Sequence, residues 1–305
     1  MTDILVSEVG LRDGLQSIDR VMPIEARKRW IAAEAAAGVR EIEVGSFVPP
    51  SLLPQMAGTA ELVAFARGIE GLTVVALVPN ARGAQLAAEA GVHAMSIPFS
   101  MSETHSVKNV RKDHPAMLAE IAAAAAIARD HGIHFAVGLS TAFGCTMEGA
   151  VPEEQVVRLA AQAAEAGAME FSLSDTTGYA DPAQVRRLVK KVRGAVGDML
   201  TTLHLHNTRG LGLANVVAGL EEGITTFDAS LGGLGGCPFA PGASGNLVTE
   251  DLVLMLNAMG YRTGIDLEAL LEVRTIVAEA LPGEALYGFT PDAGPMLDYA
   301  QRLSA

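Results

Sequence analysis

Two histidines set two apart, His204 and His206, stand in the run Thr201-Thr-Leu-His-Leu-His-Asn-Thr-Arg-Gly210, whose composition predicts a short strand. A strand points residues i and i+2 to one face, so both imidazoles would converge on one point, as a divalent cation requires. Taken alone, neighbouring histidines are more often packing or surface residues, and the reading depends on their companions. Asp13, at the end of the first predicted strand, offers a carboxylate. With the histidines it makes a two-nitrogen, one-oxygen set suited to Mg2+, Mn2+ or Zn2+.

The stretch Gly232-Gly-Leu-Gly-Gly-Cys-Pro-Phe-Ala-Pro-Gly-Ala-Ser-Gly-Asn246 would bring the Asn246 amide oxygen to a hard cation. In isolation Asn246 reads better as the N-cap of a helix starting near Leu247. Cys237, inside this stretch, is by default a small buried hydrophobe; at an active rim its thiol could serve as acid or base. Cys145 keeps the buried reading. Arg12 is either a surface ion-pairing arginine or a fixed guanidinium facing a metal, suited to a carboxylate or a developing enolate. Glu43 and Asp175 could orient Arg12 or metal-bound waters, or be paired carboxylates in a polar mouth. In Ser102-Glu-Thr-His-Ser-Val-Lys-Asn-Val-Arg-Lys112, Lys108, Asn109 and Arg111 mark either a contact for phosphates of an anionic cofactor or a solvated helix face.

These residues need a scaffold that gathers them. An Ala/Glu-rich amphipathic stretch, a glycine and a β-rich run recur along the chain, at Gly38, Gly91, Gly132, Gly167 and Gly223. Glycine after a helix supplies the left-handed residue that turns the chain into the next strand, so the pattern predicts parallel βαβ units. Eight strands are expected, near 4–9, 41–46, 73–78, 94–99, 134–140, 169–174, 201–206 and 225–231. Eight parallel strands, with no dinucleotide fingerprint after the first, favour a closed (β/α)8 TIM barrel over an open doubly wound sheet. Residues 1–281 are read as one catalytic barrel and 282–305 as a C-terminal tail packing on it. Arg12 and Asp13 after the first strand, Glu43 on the second, Asp175 after the sixth, the two histidines on the seventh and the Gly-rich stretch after the eighth then gather at the C-terminal strand ends, where such barrels carry their chemistry.

Composition agrees with this class. Of 305 residues, half are hydrophobic and 19% charged, enough for a large core. A formal net charge of −13 argues against nucleic acid and anionic membrane surfaces, but leaves an anionic small molecule open. Residues 1–20 carry Asp3, Glu8, Arg12, Asp13 and Asp19, unlike a secretory h-region. The uncharged run Ile121–Ala128 is far short of the roughly 20 residues that span a bilayer. Two cysteines make no disulfide framework, and a reduced, cytoplasmic protein is expected.

Taken together, Val9-Gly-Leu-Arg-Asp-Gly-Leu-Gln16, Glu43-Val-Gly-Ser-Phe-Val48, His204-Leu-His-Asn-Thr208 and the Gly232–Asn246 stretch resemble the 3-hydroxy-3-methylglutaryl-CoA lyases of the DRE-TIM metallolyase superfamily. The likeness runs to about Asp266. The resemblance implies Asp13, His204, His206 and Asn246 as metal ligands and Arg12 as the arginine that stabilises an enolate. It implies Cys237 in proton transfer and Glu43 and Asp175 as supporting acids. The implied reaction is retro-Claisen cleavage of a 3-hydroxy-3-substituted acyl-CoA to acetyl-CoA and a 3-oxo acid such as acetoacetate. Related lyases imply a homodimer.

Two departures bear on the substrate. Asn207 and Arg209 replace the family's Asp and Tyr after the histidines, and Ala136-Val-Gly138 replaces an Arg-Gly-Tyr. Losing that cation and ring should open space near the acyl group, so another 3-hydroxy-3-substituted acyl-CoA is an alternative substrate. A Claisen synthase of the isopropylmalate or citramalate type would use a similar metal site, but its usual long accessory region exceeds this length. An inactive barrel that only binds acyl-CoA is the non-enzymatic alternative.

Overall fold

The five recurring glycines all take left-handed backbone, with φ of 104° at Gly38, 81° at Gly91, 67° at Gly132, 107° at Gly167 and 79° at Gly223. Each ends a helix and hands the chain to a strand, the sequence of events the repeat predicts. A computed structural model describes residues 3–235, 245–296 and Tyr299. Its strands are Leu5–Glu8 (β1), Glu41–Ser46 (β2), Thr73–Leu77 (β3), Ala94–Ser100 (β4), His134–Ser140 (β5), Glu170–Ser174 (β6), Leu200–His204 (β7) and Thr226–Ala229 (β8). They pair in parallel in chain order, and β8 closes on β1 through Leu5–Thr226 to Glu8–Ala229. The chain is a (β/α)8 barrel.

Around it run helices Ile24–Ala36 (α1), Thr59–Ala66 (α2), Ala81–Ala90 (α3), Glu103–Val110 (α4), His114–His131 (α5), Glu153–Glu165 (α6), Pro182–Val196 (α7) and Gly212–Glu221 (α8). Thr249–Ala258 (α9) and Leu267–Ala280 (α10) follow. The alanine run Ile121–Ala128 lies inside α5, whose N-cap Asp113 accepts from Ala116 N at 2.9 Å. Among the described residues no helix is long and apolar enough to cross a membrane.

Four strands stop short of their expected ends, β3 by a single residue at Leu77. β1 gives way to a helical turn at Gly10, β7 ends at His204, and β8 gives way to a tight turn over Leu231–Gly233. His206 instead forms an isolated bridge with Asn246, because the returning segment supplies Gly245 O to Asn207 N at 2.7 Å.

The apolar half of each strand points outward. On β5, Phe135, Val137 and Leu139 are fully buried towards the helices, as are Phe171 and Leu173 on β6 and Phe227 on β8. Burying each such side chain stabilises the fold by about 1.5–3 kcal/mol. The inward half, including Ser7, Ser96, Ala136, Gly138, Ser172 and Thr202, is small or polar. Such barrels ordinarily fill their interior with branched side chains. Here the interior stays hollow, and a cavity of about 400 Å³ remains.

Candidate functional site

The loop after β1 begins the site. The Val9 carbonyl accepts from Arg12 N at 3.1 Å, Asp13 N at 2.7 Å and Gly14 N at 3.4 Å, winding a π-helical turn over Gly10–Gly14. Such turns are frequent at functional sites, and this one sets Arg12 and Asp13 on the cavity wall. Across the barrel, His204 and His206 bring their Nε2 atoms to 3.1 Å, with ring planes tilted by 53°. Asp13 Oδ2 lies 3.8 Å from each of these nitrogens. Asn246 Nδ2 donates to Asp13 Oδ2 at 2.8 Å and to Leu234 O at 3.3 Å. Asn246 does not cap α9: Val248 holds that position, without a side-chain cap.

The donor set fits a divalent cation. His204 Nδ1 lies 3.0 Å from Asp228 Oδ2, which holds the ring proton on Nδ1 and leaves the Nε2 lone pair facing His206. His206 Nδ1 and Asn246 Oδ1 are buried without hydrogen-bond partners. Half a turn of the Asn246 amide would exchange its two ends and set that orphaned oxygen beside Asp13 Oδ2. Burial pushes His206 down to about 4, helped by the neighbouring His204, so it is neutral with a lone pair to give. Burial alone would raise Asp13, but the Arg12 guanidinium, the two imidazoles and the Asn246 amide hold it well below the usual carboxylate range. For His204, burial is outweighed by Asp228 and Asp13, and its pKa rises. Among the described residues, Asp13, His204 and His206 are the group that could hold a metal ion.

Arg12 is fixed on two sides. Its Nε donates to Glu43 Oε2 at 2.5 Å and its Nη1 pairs with Asp13, while Nη2 donates to nothing among the described residues. Glu43 is held in turn by Ser96 Oγ at 2.9 Å. Below them the cavity continues past Ala94, Ala136 and Gly138 to Glu41, His134 and Glu170 at the N-terminal end of the barrel. A Cβ built on Gly138 would meet only Ile97 O and Ser174 Oγ, each at 4.0 Å, so this wall has unfilled space beside it. Burial pushes Glu41 up to about 7, and His134 Nε2 pairs with Glu170 Oε2 at 2.7 Å.

The remaining sequence candidates are more dispersed. Asp175 does not line the cavity; its carboxylate accepts from Tyr179 N at 2.8 Å and Ala180 N at 3.2 Å, shaping the loop after β6. Burial lifts it to about 6. Lys108 and Asn109 are exposed on α4, and exposed Arg111 ends that helix at φ 58°. Lys112, the third cation there, is taken by Glu120. Cys145 is fully buried and its Sγ accepts from Met147 N at 3.4 Å, as a packing cysteine would. Cys237 lies in 236–244, outside the described residues. Of the two departures, Arg209 stacks on Tyr179 at 4.6 Å and donates to Thr177 O and Gly178 O, away from the cavity, whereas Ala136 and Gly138 line it.

Asp228 was not among the sequence candidates. The alternation Thr226-Phe-Asp-Ala229 carried the signal, since a polar residue flanked by Phe227 and Ala229 must face inward when those two face the helices.

A family model described as HMGL-like matches residues 3–277. An (R)-citramalyl-CoA lyase of Chloroflexus aurantiacus is 40% identical over 97% of this chain and 96% of its own length. A hydroxymethylglutaryl-CoA lyase of Bacillus subtilis is 41% identical over 91% of this chain and 93% of its own. The crystal structure of an HMG-CoA lyase from Acinetobacter baumannii, in complex with coenzyme A and 3-methylmalate, superposes with a TM-score of 0.89. That protein is 38% identical, covering 97% of this chain and 96% of its own.

Proposed function

The chain belongs to the HMGL-like family of lyases, and from that premise we propose that it is a divalent-metal lyase that cleaves a 3-hydroxy-3-methylglutaryl-CoA-like thioester. The products would be acetyl-CoA and an oxo acid such as acetoacetate. The observation that carries this reading is the convergence of Asp13, His204, His206 and Asn246 beside Arg12, over a hollow barrel large enough for an acyl group.

A divalent cation held by these four residues would supply Lewis acidity at the tertiary hydroxyl. The chain's own residues do the rest. Arg12, fixed by Glu43 and Asp13, keeps one guanidinium nitrogen for the thioester oxygen as the carbon–carbon bond breaks and negative charge moves onto it. Because the guanidinium is already braced, little reorganisation accompanies that charge. Asp228 orients His204, and Ser96 steadies Glu43. Asp175 supports the site by shaping the loop beside β7, its N–H donating to His204 O at 2.8 Å. The hydroxyl loses one proton and the enolate carbon gains one, so cleavage is proton-neutral; Cys237 is the proposed carrier of the returning proton. Lys108, Asn109 and Arg111 stand on the rim helix after β4 as the proposed contact for coenzyme A phosphates.

A second substrate has specific support. The citramalyl-CoA lyase matches nearly the whole chain, and citramalyl-CoA differs from 3-hydroxy-3-methylglutaryl-CoA by one methylene, giving pyruvate in place of acetoacetate. The test is to give the Mn2+-loaded protein each thioester in turn, following acetyl-CoA release and identifying the oxo acid, with Cys237→Ala alongside. Release of acetyl-CoA from either, lost in the variant, bears out the lyase and its proton carrier. Release from neither, with metal bound, would refute this substrate class.

A further inference from the structure

Beneath the Arg12–Asp13 turn lie three buried carboxyls that the chemistry above does not use: Glu8, Glu34 and Glu250. Glu8, the last residue of β1, receives donors from three separate segments. Its Oε1 accepts from Gly10 N at 2.7 Å and Leu231 N at 3.0 Å, and its Oε2 from Thr249 Oγ1 at 2.7 Å. Gly10 opens the turn that carries Arg12 and Asp13, and Leu231 stands immediately before the glycine-rich stretch. Thr249 stands three residues after Asn246. Both ligands contributed from outside the histidine segment therefore hang on one carboxylate.

Glu250 adds a second tie at the same place. It accepts from Gly232 N at 3.0 Å and from Arg274 Nη1 at 2.5 Å. The arrangement has no slack. A Cβ on Gly10 would come within 2.5 Å of Glu8 Oε1 and within 2.9 Å of both Ser230 Oγ and the Trp30 ring.

Glu34, on α1, is a buried neighbour of Glu8, and neither of its oxygens makes a hydrogen bond of good geometry among the described residues. Burial lifts Glu34 well above the carboxylate range and Glu8 up to about 7. Three donors favour charge on Glu8, against the Trp30 indole alone on Glu34, so Glu8 is the more readily ionised of the two. An ionised acceptor binds its N–H and O–H donors more tightly than a neutral one.

We propose that Glu8 is a positioning residue of the metal site, setting Asp13 against Asn246 by clamping their two segments and the foot of the glycine-rich loop to the end of β1. The proposal rests on the metal reading of the preceding subsection. Its readout is the affinity of the metal-free protein for Mn2+, followed by the electron paramagnetic resonance of the free ion, with thermal unfolding recorded in parallel.

Glu8→Asp keeps the charge but is shorter by one methylene and cannot reach all three donors; Mn2+ affinity is expected to fall at least about tenfold. Glu8→Gln keeps the length, its amide oxygen meeting the two N–H groups and its NH2 meeting Thr249 Oγ1. Affinity should then stay within about threefold of wild type. Leu188→Ala, in the buried face of α7, destabilises the fold elsewhere and should leave Mn2+ affinity unchanged. Wild-type affinity in Glu8→Asp, or an equal loss in Leu188→Ala, overturns the proposal alone. Absence of Mn2+ binding in the wild type overturns the metal reading and this proposal with it. Should Glu8→Asp not fold, Thr249→Val cuts only the arm beside Asn246, with an expected loss of about fivefold. Unchanged binding there overturns the proposal.

Discussion

Asp228→Ala is the perturbation whose outcome follows most directly from the geometry. Asp228 Oδ2 stands 3.0 Å from His204 Nδ1, and its removal frees the imidazole to carry its proton on Nε2, the nitrogen 3.1 Å from His206 Nε2. A charge-assisted hydrogen bond of this kind contributes about 1.5–3 kcal/mol. Loss of such an outer partner weakens metal binding by about 10- to 100-fold, a range that agrees with the hydrogen-bond figure. The same substitution relieves Glu41 and Glu43 of a repelling charge, which favours folding and leaves the ligand set alone. Stability and metal affinity should therefore move apart. Asp228→Asn separates charge from geometry: its side-chain oxygen still accepts from Nδ1, so the loss should stay below about tenfold. Competition with a fluorescent chelator gives the affinities, and nitrogen-15 spectra of the histidines report the tautomer directly. If Asp228→Ala binds metal as tightly as wild type, or Asp228→Asn loses more than the alanine variant, the assigned role of the carboxylate is wrong.

Other consequences are as concrete. Burial raises the Glu41 carboxyl from 4.5 to about 7, so the stability it contributes is present below the lower value and lost as pH rises through the higher. Glu41→Gln should therefore match wild type near pH 4 and exceed it by up to about 3 kcal/mol near pH 8 in urea melts, an upper bound because the carboxyl faces a cavity that admits water. Gly138→Phe places a ring in the open space beside β5; KM for the acyl-CoA should rise about tenfold while Tm moves by only a few degrees. Lys108→Ala and Arg111→Ala should each raise that KM about fivefold at low ionic strength, less at high salt, with kcat unchanged. A change in kcat instead would take these cations out of the coenzyme-binding role.

The barrel was legible because its signals are local and repeated. Gly38, Gly91, Gly132, Gly167 and Gly223 each needed only their own φ to be read, and the sequence spacing between them fixed the alternation of helix and strand. The candidate metal set was legible because His204 and His206 are two apart on one chain segment. What escaped were relations between distant segments. Glu8 and Thr249 are 241 positions apart, and Asp228 meets His204 across a strand pair whose register no local pattern states. Asn246 failed as a helix cap for a similar reason: the bridge to His206 claims its backbone first. The Ala136 and Gly138 departures could be named from sequence, but only the outward packing of Phe135, Val137 and Leu139 shows that both face the hollow interior.

That interior has a charge problem which, on the proposed reading, would order the binding events. Asp13, Glu41, Glu43, Glu170 and Asp228 all line the cavity, against one arginine, Arg12, already paired with two of them, and His134, paired with Glu170. A substrate carboxylate about 6 Å from one such acid meets a repulsion of about 3 kcal/mol at an effective dielectric constant near 20. Two acids at that distance outweigh one shared guanidinium. On the proposed reading, the carboxylate-bearing acyl end of the thioester would enter only once a divalent cation had reversed the field, whereas a coenzyme A moiety held at the rim by Lys108 and Arg111 would scarcely sense the difference. Calorimetry with metal-free and Mn2+-loaded protein resolves the two ends. Coenzyme A alone should bind about equally to both forms, and a non-cleavable dicarboxylic acyl-CoA analogue at least about 100-fold more weakly to the metal-free form. Equal binding of the analogue to both would mean that another group neutralises its carboxylate, and that the acids of the barrel do not govern entry.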